Sequence, residues 1–421
     1  MKNILFVVID CLGYKFLSGH KRQSYPYLNY LFCEGVSFSQ AISVASTTSP
    51  SIASMLTGCY PLRHGVMTLS GNYLRKNVPF LSELLKNAGY NTFAEVTGPL
   101  WPELGFSRGF DNYAHRNFKR DYLHSAWGEA LKNKFISGYF KEPWFIFLHL
   151  WELHQPVTIL PQYNKSKFGT PYERSLKSLD KLLEELLSDV IDITKTIIIL
   201  TGDHGEQIEK NRIDKIFKKI ILKIYKPILS LGFMENRRVD ISRKYQFGHG
   251  SNISDTLVNV PLLFIDKDRF PGNIEIDGQI SHVDILPTLI SPLDTENFNI
   301  RTDGQDYTPY IEKEISDPEH TAYMQACGIV LPDSSKWLEG VRYHGLKYIR
   351  NRNNYKRMEW LYNISRDPEE KTTVEDEDLT NMMREKLDRI KQTGLQADEN
   401  VKMSAHERVE MVKKLKDLGY M

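Results

Sequence analysis

The chain interleaves short, unbroken apolar runs with longer stretches in which apolar residues recur at helical spacing. Ile4-Leu5-Phe6-Val7-Val8-Ile9 is apolar throughout and ends in Asp10, the pattern of a strand buried on both faces of a parallel sheet. Thr196-Ile197-Ile198-Ile199-Leu200 repeats it and leads into Thr201-Gly202-Asp203-His204-Gly205-Glu206. Between them, Ser46-Thr47-Thr48-Ser49 precede Pro50 and an apolar-periodic stretch. Proline suits the first turn of a helix, so Thr48 or Ser49 is expected at the cap, facing backbone N–H groups that favour negative charge. Ligands of open α/β sheets gather beyond the carboxyl ends of strands, so Asp10 and the Asp203-His204 pair are expected to converge there. Two carboxylates, an imidazole and a hydroxyl suit a hard or borderline divalent cation.

The pattern changes downstream. Periodicity weakens from Ser291 to Gln305, which places a boundary near residue 295, with a catalytic α/β domain over 1–295 and a smaller α+β part over 296–421. Residues 321–324, 337–343 and 346–350 read as short strands with a turn at His344-Gly345, a small antiparallel sheet. Residues 373–419 are charged and helical, with Met382, Met383, Leu387 and Ile390 at core spacing, and are expected to form a packing helix pair that offers a surface for a homo-oligomer. An insertion over about 207–245 carries Ile216 to Leu229, apolar at helical spacing and flanked by lysines. This segment reads as a lid or surface helix, or as a stripe making peripheral contact with an anionic membrane.

Composition narrows the setting. The 421 residues exceed the usual size of a single core, and the net charge of +1 argues neither for nor against a polyanion. No nucleic-acid partner is expected. Cys11, Cys33, Cys59 and Cys327 lack metal-type spacing and are too few for a disulfide framework, so they read as reduced thiols. The first core strand starts at Ile4, leaving no room for a signal peptide, and no apolar stretch of about 18 residues is free of charges. A cytoplasmic location is expected.

Four ordered motifs give the chain a family resemblance. Thr48-Ser49-Pro50-Ser51-Ile52, Leu56-Thr57-Gly58, Tyr60-Pro61 and Arg63-His64-Gly65 resemble the signature of the sulfatase-like branch of the alkaline phosphatase superfamily. Thr201 to Glu206 resembles its second metal motif, Ser281 to Thr288 a later segment, and Trp360 to Glu370 its closing hairpin. The resemblance implies an α/β fold with a mostly parallel central sheet flanked by helices, and a small C-terminal antiparallel sheet plus helices. It implies one divalent ion (Mn, Zn, Mg or Ca) on Asp10, Thr48, Asp203 and His204, with Thr48 as covalent nucleophile. His154 is expected to hydrogen-bond a non-bridging oxygen, His249 to protonate the leaving group, and Arg63 and Ser49 to contact substrate.

The departures shape the chemistry expected. Sulfatases oxidise a Cys or Ser to formylglycine; Thr48 stands at that position, Ile52 replaces the Arg that steadies it, Cys11 a second acidic ligand, and Gly248 the Lys before His249. A threonine nucleophile resembles the phosphodiesterase and phosphotransferase branches instead. The expected activity is hydrolysis of phosphate or sulfate esters, the substrate being a small molecule or a glycan- or lipid-linked anionic ester. The alternatives are phosphoryl transfer to an acceptor alcohol, a sulfatase working without formylglycine, and an inactive anion-binding relative. At the residue level, Thr48 as a plain cap would leave Thr47 or Ser49 as nucleophile, and Arg63 and His64 would equally serve a helix-terminal pairing. His149 is expected one strand face away from the site as a satisfied core histidine, and His282 and Asp284 are expected to brace a helix. Glu152 and His154, two apart on a strand, would with His249 make a poor second metal site.

Overall fold

In the computed structural model, all residues are described except 70–71, 166, 209–247, 292–299, 313–319, 328–336, 354–357, 396–402 and 419–421. The insertion and its 216–229 stripe therefore lie almost entirely outside the described residues.

The strand Asn3–Ile9 (β1) is fully buried, as its unbroken apolar run requires. It lies at the middle of an eight-stranded sheet, paired in parallel with Trp144–Leu150 (β5) on one side and Thr196–Gly202 (β6) on the other. Asn91–Val96 (β3) and Asn112–His115 (β4) extend the sheet beyond β5. Beyond β6 come Asn259–Ile265 (β7), Val36–Ile42 (β2) and Ile274–Ser281 (β8). Only β7 runs antiparallel to its neighbours, so the sheet is mostly parallel. In register, Ile9 pairs with both Leu150 and Gly202, so the chain leaves three adjacent strands at one level and Asp10 emerges beside Asp203.

Each face of the sheet carries its own core. Ile4, Phe6 and Val8 pack on one side with Ile52, Met55 and Leu56 of the helix Thr48–Thr57. Leu5, Val7 and Ile9 pack on the other with Tyr172, Leu176 and Leu179 of the helix Pro171–Leu187. That second helix starts with a capping box, in which Thr170 and Glu173 satisfy each other's backbone N–H groups.

The smaller sheet is antiparallel and ordered Glu359–Asn363 (β12), Leu346–Asn351 (β11), Leu338–Tyr343 (β10), Ala322–Ala326 (β9). His344 and Gly345, both at positive φ (44° and 73°), turn β10 into β11 as a two-residue hairpin demands. The small sheet packs on segments that follow β2: Val44, Tyr60 and Leu62 lie among Tyr323, Val341 and Tyr348. The two C-terminal helices differ from the expected pair. Met383 and Leu387 of Glu377–Leu395 enter this shared core, whereas Met411 and Leu415 of Ala405–Asp417 enter the core of the large sheet. Their apolar stripes are covered by different partners. Among the described residues no helix is long and apolar enough to cross a membrane.

Candidate active site

The expected convergence occurs at the carboxyl edge of β1 and β6. Asp10, Thr48, Asp203 and His204 are all completely buried. Thr48 Oγ1 donates to Asp10 Oδ2 at 3.1 Å and lies 3.4 Å from His204 Nε2. The helix that carries Thr48 begins one residue earlier than expected: Thr47, in extended conformation, is the cap, and Thr48 is the first helical residue. Thr48 thereby sits among the unpaired N–H groups of the first turn.

Asp203 is held from several sides. Its Oδ1 accepts from the backbone N–H of Cys11 (3.0 Å) and of His204 (2.8 Å), and its carbonyl accepts from Ser43 and Ser51, each at 2.6 Å. His204 Nδ1 lies 2.9 Å from the Gly205 carbonyl and must donate to it, which leaves Nε2 with its lone pair toward Thr48 and Asp203. Gly205 permits this tight turn, since a Cβ there would meet the Thr256 carbonyl at 2.1 Å.

This donor set fits a divalent cation. The ligand atoms of Asp10, Asp203 and His204 lie within 4.8 Å of one another. Among the described residues no donor reaches the buried Asp10 Oδ1 and Asp203 Oδ2, a costly arrangement that a cation relieves. The electrostatics point the same way. Burial works against the charge on Asp10, yet the His149, His154 and His204 side chains that face it hold its carboxyl well below the usual range. Burial, then the charge of Asp10, push Asp203 up to about 6.

A second layer lies above the first. His249 Nδ1 is 2.9 Å from Glu206 Oε2, and its ring lies 4.4 Å from that of His204 and 5.4 Å from that of His154. Burial opposes the charged form, but Glu206 raises His249 above the ordinary histidine value. His154 stacks on Trp151 at 4.1 Å and is lowered to about 4, chiefly by burial.

Several expected residues go elsewhere. Ser49 donates to the Pro99 carbonyl at 2.7 Å, so its hydroxyl is committed to a loop. Arg63 Nε and Nη2 bond Asp303 Oδ1 at 2.9 and 2.5 Å, the helix-terminal alternative in place of substrate contact. Glu152 does not join His154 and His249: β5 ends at Leu150, and the turn that follows points Glu152 Oε1 to the N–H of Leu123, at 2.8 Å. His149 corrects the opposite way. It is buried and bonded to the Thr97 carbonyl (3.1 Å), but its Nε2 lies 3.5 Å from Asp10 Oδ2, on the site and not a strand face away. His282 braces as expected, with Nδ1 3.0 Å from Ser51 Oγ, and Asp284 closes a capping box on Ser281. Glu206, Ser51 and Tyr172, whose hydroxyl bonds the Cys11 carbonyl at 2.6 Å, were not among the expected site residues.

Comparison with known proteins completes the picture. The solved structure of a phosphonate monoester hydrolase from Agrobacterium radiobacter superposes with a TM-score of 0.69, covering 94% of this chain and 96% of that one at 16% identity. That of Ps i-CgsB in complex with k-i-k-neocarrahexaose gives 0.69 over 98% and 97%, at 19% identity. Mouse arylsulfatase G is 22% identical over 358 residues, which cover 69% of this chain and 64% of that protein. The ulvan-active sulfatase of Formosa agariphila is 37% identical over 95 residues, 21% of this chain and 18% of that one. The Sulfatase family model matches residues 2–295, the stretch that contains every strand of the large sheet and both layers of the site. The chain belongs to the sulfatase family.

Proposed function

We propose that the chain is a metal-dependent ester hydrolase that acts through a covalent Thr48 intermediate, on phosphate esters in preference to sulfate esters. The observation that carries this reading is the placement of Thr48 Oγ1 between Asp10 and His204 at the start of a helix. Formylglycine cannot form from threonine, and the buried Ile52 and the glycine at 248 offer no charge to steady it. A divalent cation on Asp10, Asp203, His204 and Thr48, when bound, supplies charge neutralisation and acidifies the Thr48 hydroxyl.

The protein groups account for the remaining steps. Asp10 orients the Thr48 hydroxyl, whose proton is shed toward that carboxylate as Oγ1 attacks phosphorus. The bond to the leaving oxygen breaks, and His249, kept protonated by Glu206, donates to that oxygen. His154, whose Nδ1–H is committed to the Gln155 carbonyl, takes up a proton as the anionic ester binds and holds a non-bridging oxygen through Nε2–H. Water then attacks the phosphothreonine, giving a proton to the neutral His249 left by the first step; the Oγ1–P bond breaks, and Thr48 regains its proton from Asp10.

We place the substrate among glycan- or lipid-linked anionic esters; similarity to proteins named ulvan-active sulfatase and N-acetylgalactosamine-6-sulfatase supports the glycan side. Four unpaired cysteines support a reducing compartment. The test is a parallel assay of metal-reconstituted protein on nitrophenyl phosphate, bis-nitrophenyl phosphate, a phenylphosphonate ester and nitrophenyl sulfate, with chelator-treated and Thr48→Ala protein beside it. Phosphoester or phosphonate turnover is expected to dominate and to vanish in both controls. Dominant sulfate turnover would overturn the preference, and activity surviving Thr48→Ala would overturn the nucleophile. Turnover that rises with added glycerol or ethanolamine would identify a transferase using the same intermediate.

A further inference from the structure

Cys11 follows Asp10 at φ +63°, a left-handed conformation that L residues adopt at a cost. It is held there by the bond from its N–H to Asp203 and the bond from Tyr172 to its carbonyl. The consequence is a triangle of donors. Sγ lies 3.5 Å from Glu206 Oε2 and 3.8 Å from His249 Nδ1, and the last two lie 2.9 Å apart. Metal–sulfur bonds of about 2.3 Å and metal–nitrogen or metal–oxygen bonds of about 2.0 Å space the ligands of a tetrahedral zinc by roughly 3.3–3.6 Å. The observed spacing brackets that range. All three side chains are nearly shut off from solvent: Cys11 is fully buried, and the side chains of Glu206 and His249 are 2% and 8% exposed.

We propose that Cys11, Glu206 and His249 form a second cation site, selective for a borderline, thiol-preferring divalent ion of the zinc type, beside the harder Asp10–Thr48–Asp203–His204 set. His204 marks the boundary between them, since a ligand atom of its ring lies within 4.8 Å of those of Cys11 and His249 as well as those of Asp10 and Asp203. The difference in donor chemistry separates the two ions. Thiolate and imidazole select zinc or cobalt, whereas two carboxylates and a hydroxyl suit magnesium or manganese. Charge also balances. Asp10, Asp203, Glu206 and a Cys11 thiolate bring four negative charges into a buried space, which two divalent ions cancel. Coordination through Nδ1 leaves His249 a neutral imidazole whose Nε2–H hydrogen-bonds the ester without protonating it, so the general-acid role belongs to the state in which this second site is empty. A cation there adds neutralisation of a second ester oxygen.

The site stands apart from the Thr48 reading and is tested without turnover. Full-length, chelator-stripped protein is titrated with cobalt(II), followed by near-ultraviolet absorbance and metal analysis. Wild type is expected to take up two ions per chain with a thiolate-to-cobalt charge-transfer band. Cys11→Ser should hold one ion and lack the band, and His249→Ala should also lose the second ion. Thr48→Ala should keep the band, so failure of the nucleophile assignment and failure of the second site are read separately. One cobalt in wild type, two without the band, or a band that persists in Cys11→Ser would each overturn the proposal. The wild-type stoichiometry and band decide it even where a variant folds poorly.

Discussion

Thr48 and Ser49 are adjacent buried hydroxyls with opposite tasks. The proton of Ser49 is committed to the Pro99 carbonyl, while that of Thr48 faces Asp10 and His204. Thr48→Ala is expected to lower kcat by about a thousandfold or more. Ser49→Ala should leave kcat within about tenfold and cost about 1 kcal/mol of stability, the usual worth of one hydrogen bond. Steady-state kinetics and chemical denaturation of both variants check this, and the reverse ranking would move the nucleophile. His249→Ala should slow alkyl esters by roughly 100- to 10,000-fold and nitrophenyl esters much less, because only poor leaving groups need charge relief at the departing oxygen. Equal losses on both would remove that role. The convergence of Asp10, Thr48, Asp203 and His204 was legible because each ends or starts a strongly patterned element. Arg63 was not, since its partner Asp303 lies 240 positions away and nothing local to Arg63 announces it. Glu206 stood inside a quoted motif, yet its partner His249 lies 43 residues on, beyond the insertion.

The elements beneath the site are braced by the smaller sheet. Lys347 on β11 is completely buried and bonds Asp255 Oδ1 at 2.7 Å and Glu370 Oε1 at 2.5 Å, while Arg342 on β10 reaches Asp255 Oδ2 at 3.0 Å. Asp255 starts the short helix Asp255–Val258, and the Leu257 carbonyl of that helix accepts the Gly205 N–H at 2.8 Å. The ion pairs thus reach the turn that follows His204. Lys347→Met is expected to cost roughly 3–5 kcal/mol, because it removes the buried cation that Asp255 and Glu370 share and leaves Asp255 to Arg342 alone. Lys347→Met combined with Asp255→Asn should recover part of that loss, and thermal melts of the single and double variants measure it. A single variant that melts like wild type would show that the cluster is solvated. The unbroken apolar runs identified β1 and β6 because burial on both faces leaves no polar position. The neighbours of each strand, and the reversal of β7, depend on pairings far apart in the chain and leave no local trace.

At the scale of the whole molecule, both sheets and the sulfatase-like character were legible, while the distribution of the terminal helices was not. Met383, Leu387, Met411 and Leu415 all read as core positions, but a helical stripe does not say which core it meets. Burial also sets how the fold answers pH. His64, the last residue of the short helix Pro61–His64, is fully buried against the helix Thr48–Thr57; its Nδ1 accepts the Val66 N–H at 3.1 Å, so its proton sits on Nε2 against Ser54 Oγ at 2.9 Å. A second proton on Nδ1 would face a donor. Burial, then the charge of Arg75, lower His64 to about 3, against about 6.5 in the unfolded chain. The native state therefore refuses a proton that the unfolded state accepts. The contribution is complete above pH 6.5 and is lost as pH falls from 6.5 toward 3, at up to about 1.4 kcal/mol per pH unit. His282, lowered to about 3 by burial, adds in the same direction. Urea midpoints measured from pH 7.5 to 4.5 are expected to fall, and His64→Gln, which carries no titrating ring, should flatten the slope while lowering stability at pH 7.5. An unchanged slope in that variant would mean that His64 takes up its proton in the folded chain, and that the Val66 hydrogen bond does not hold it neutral.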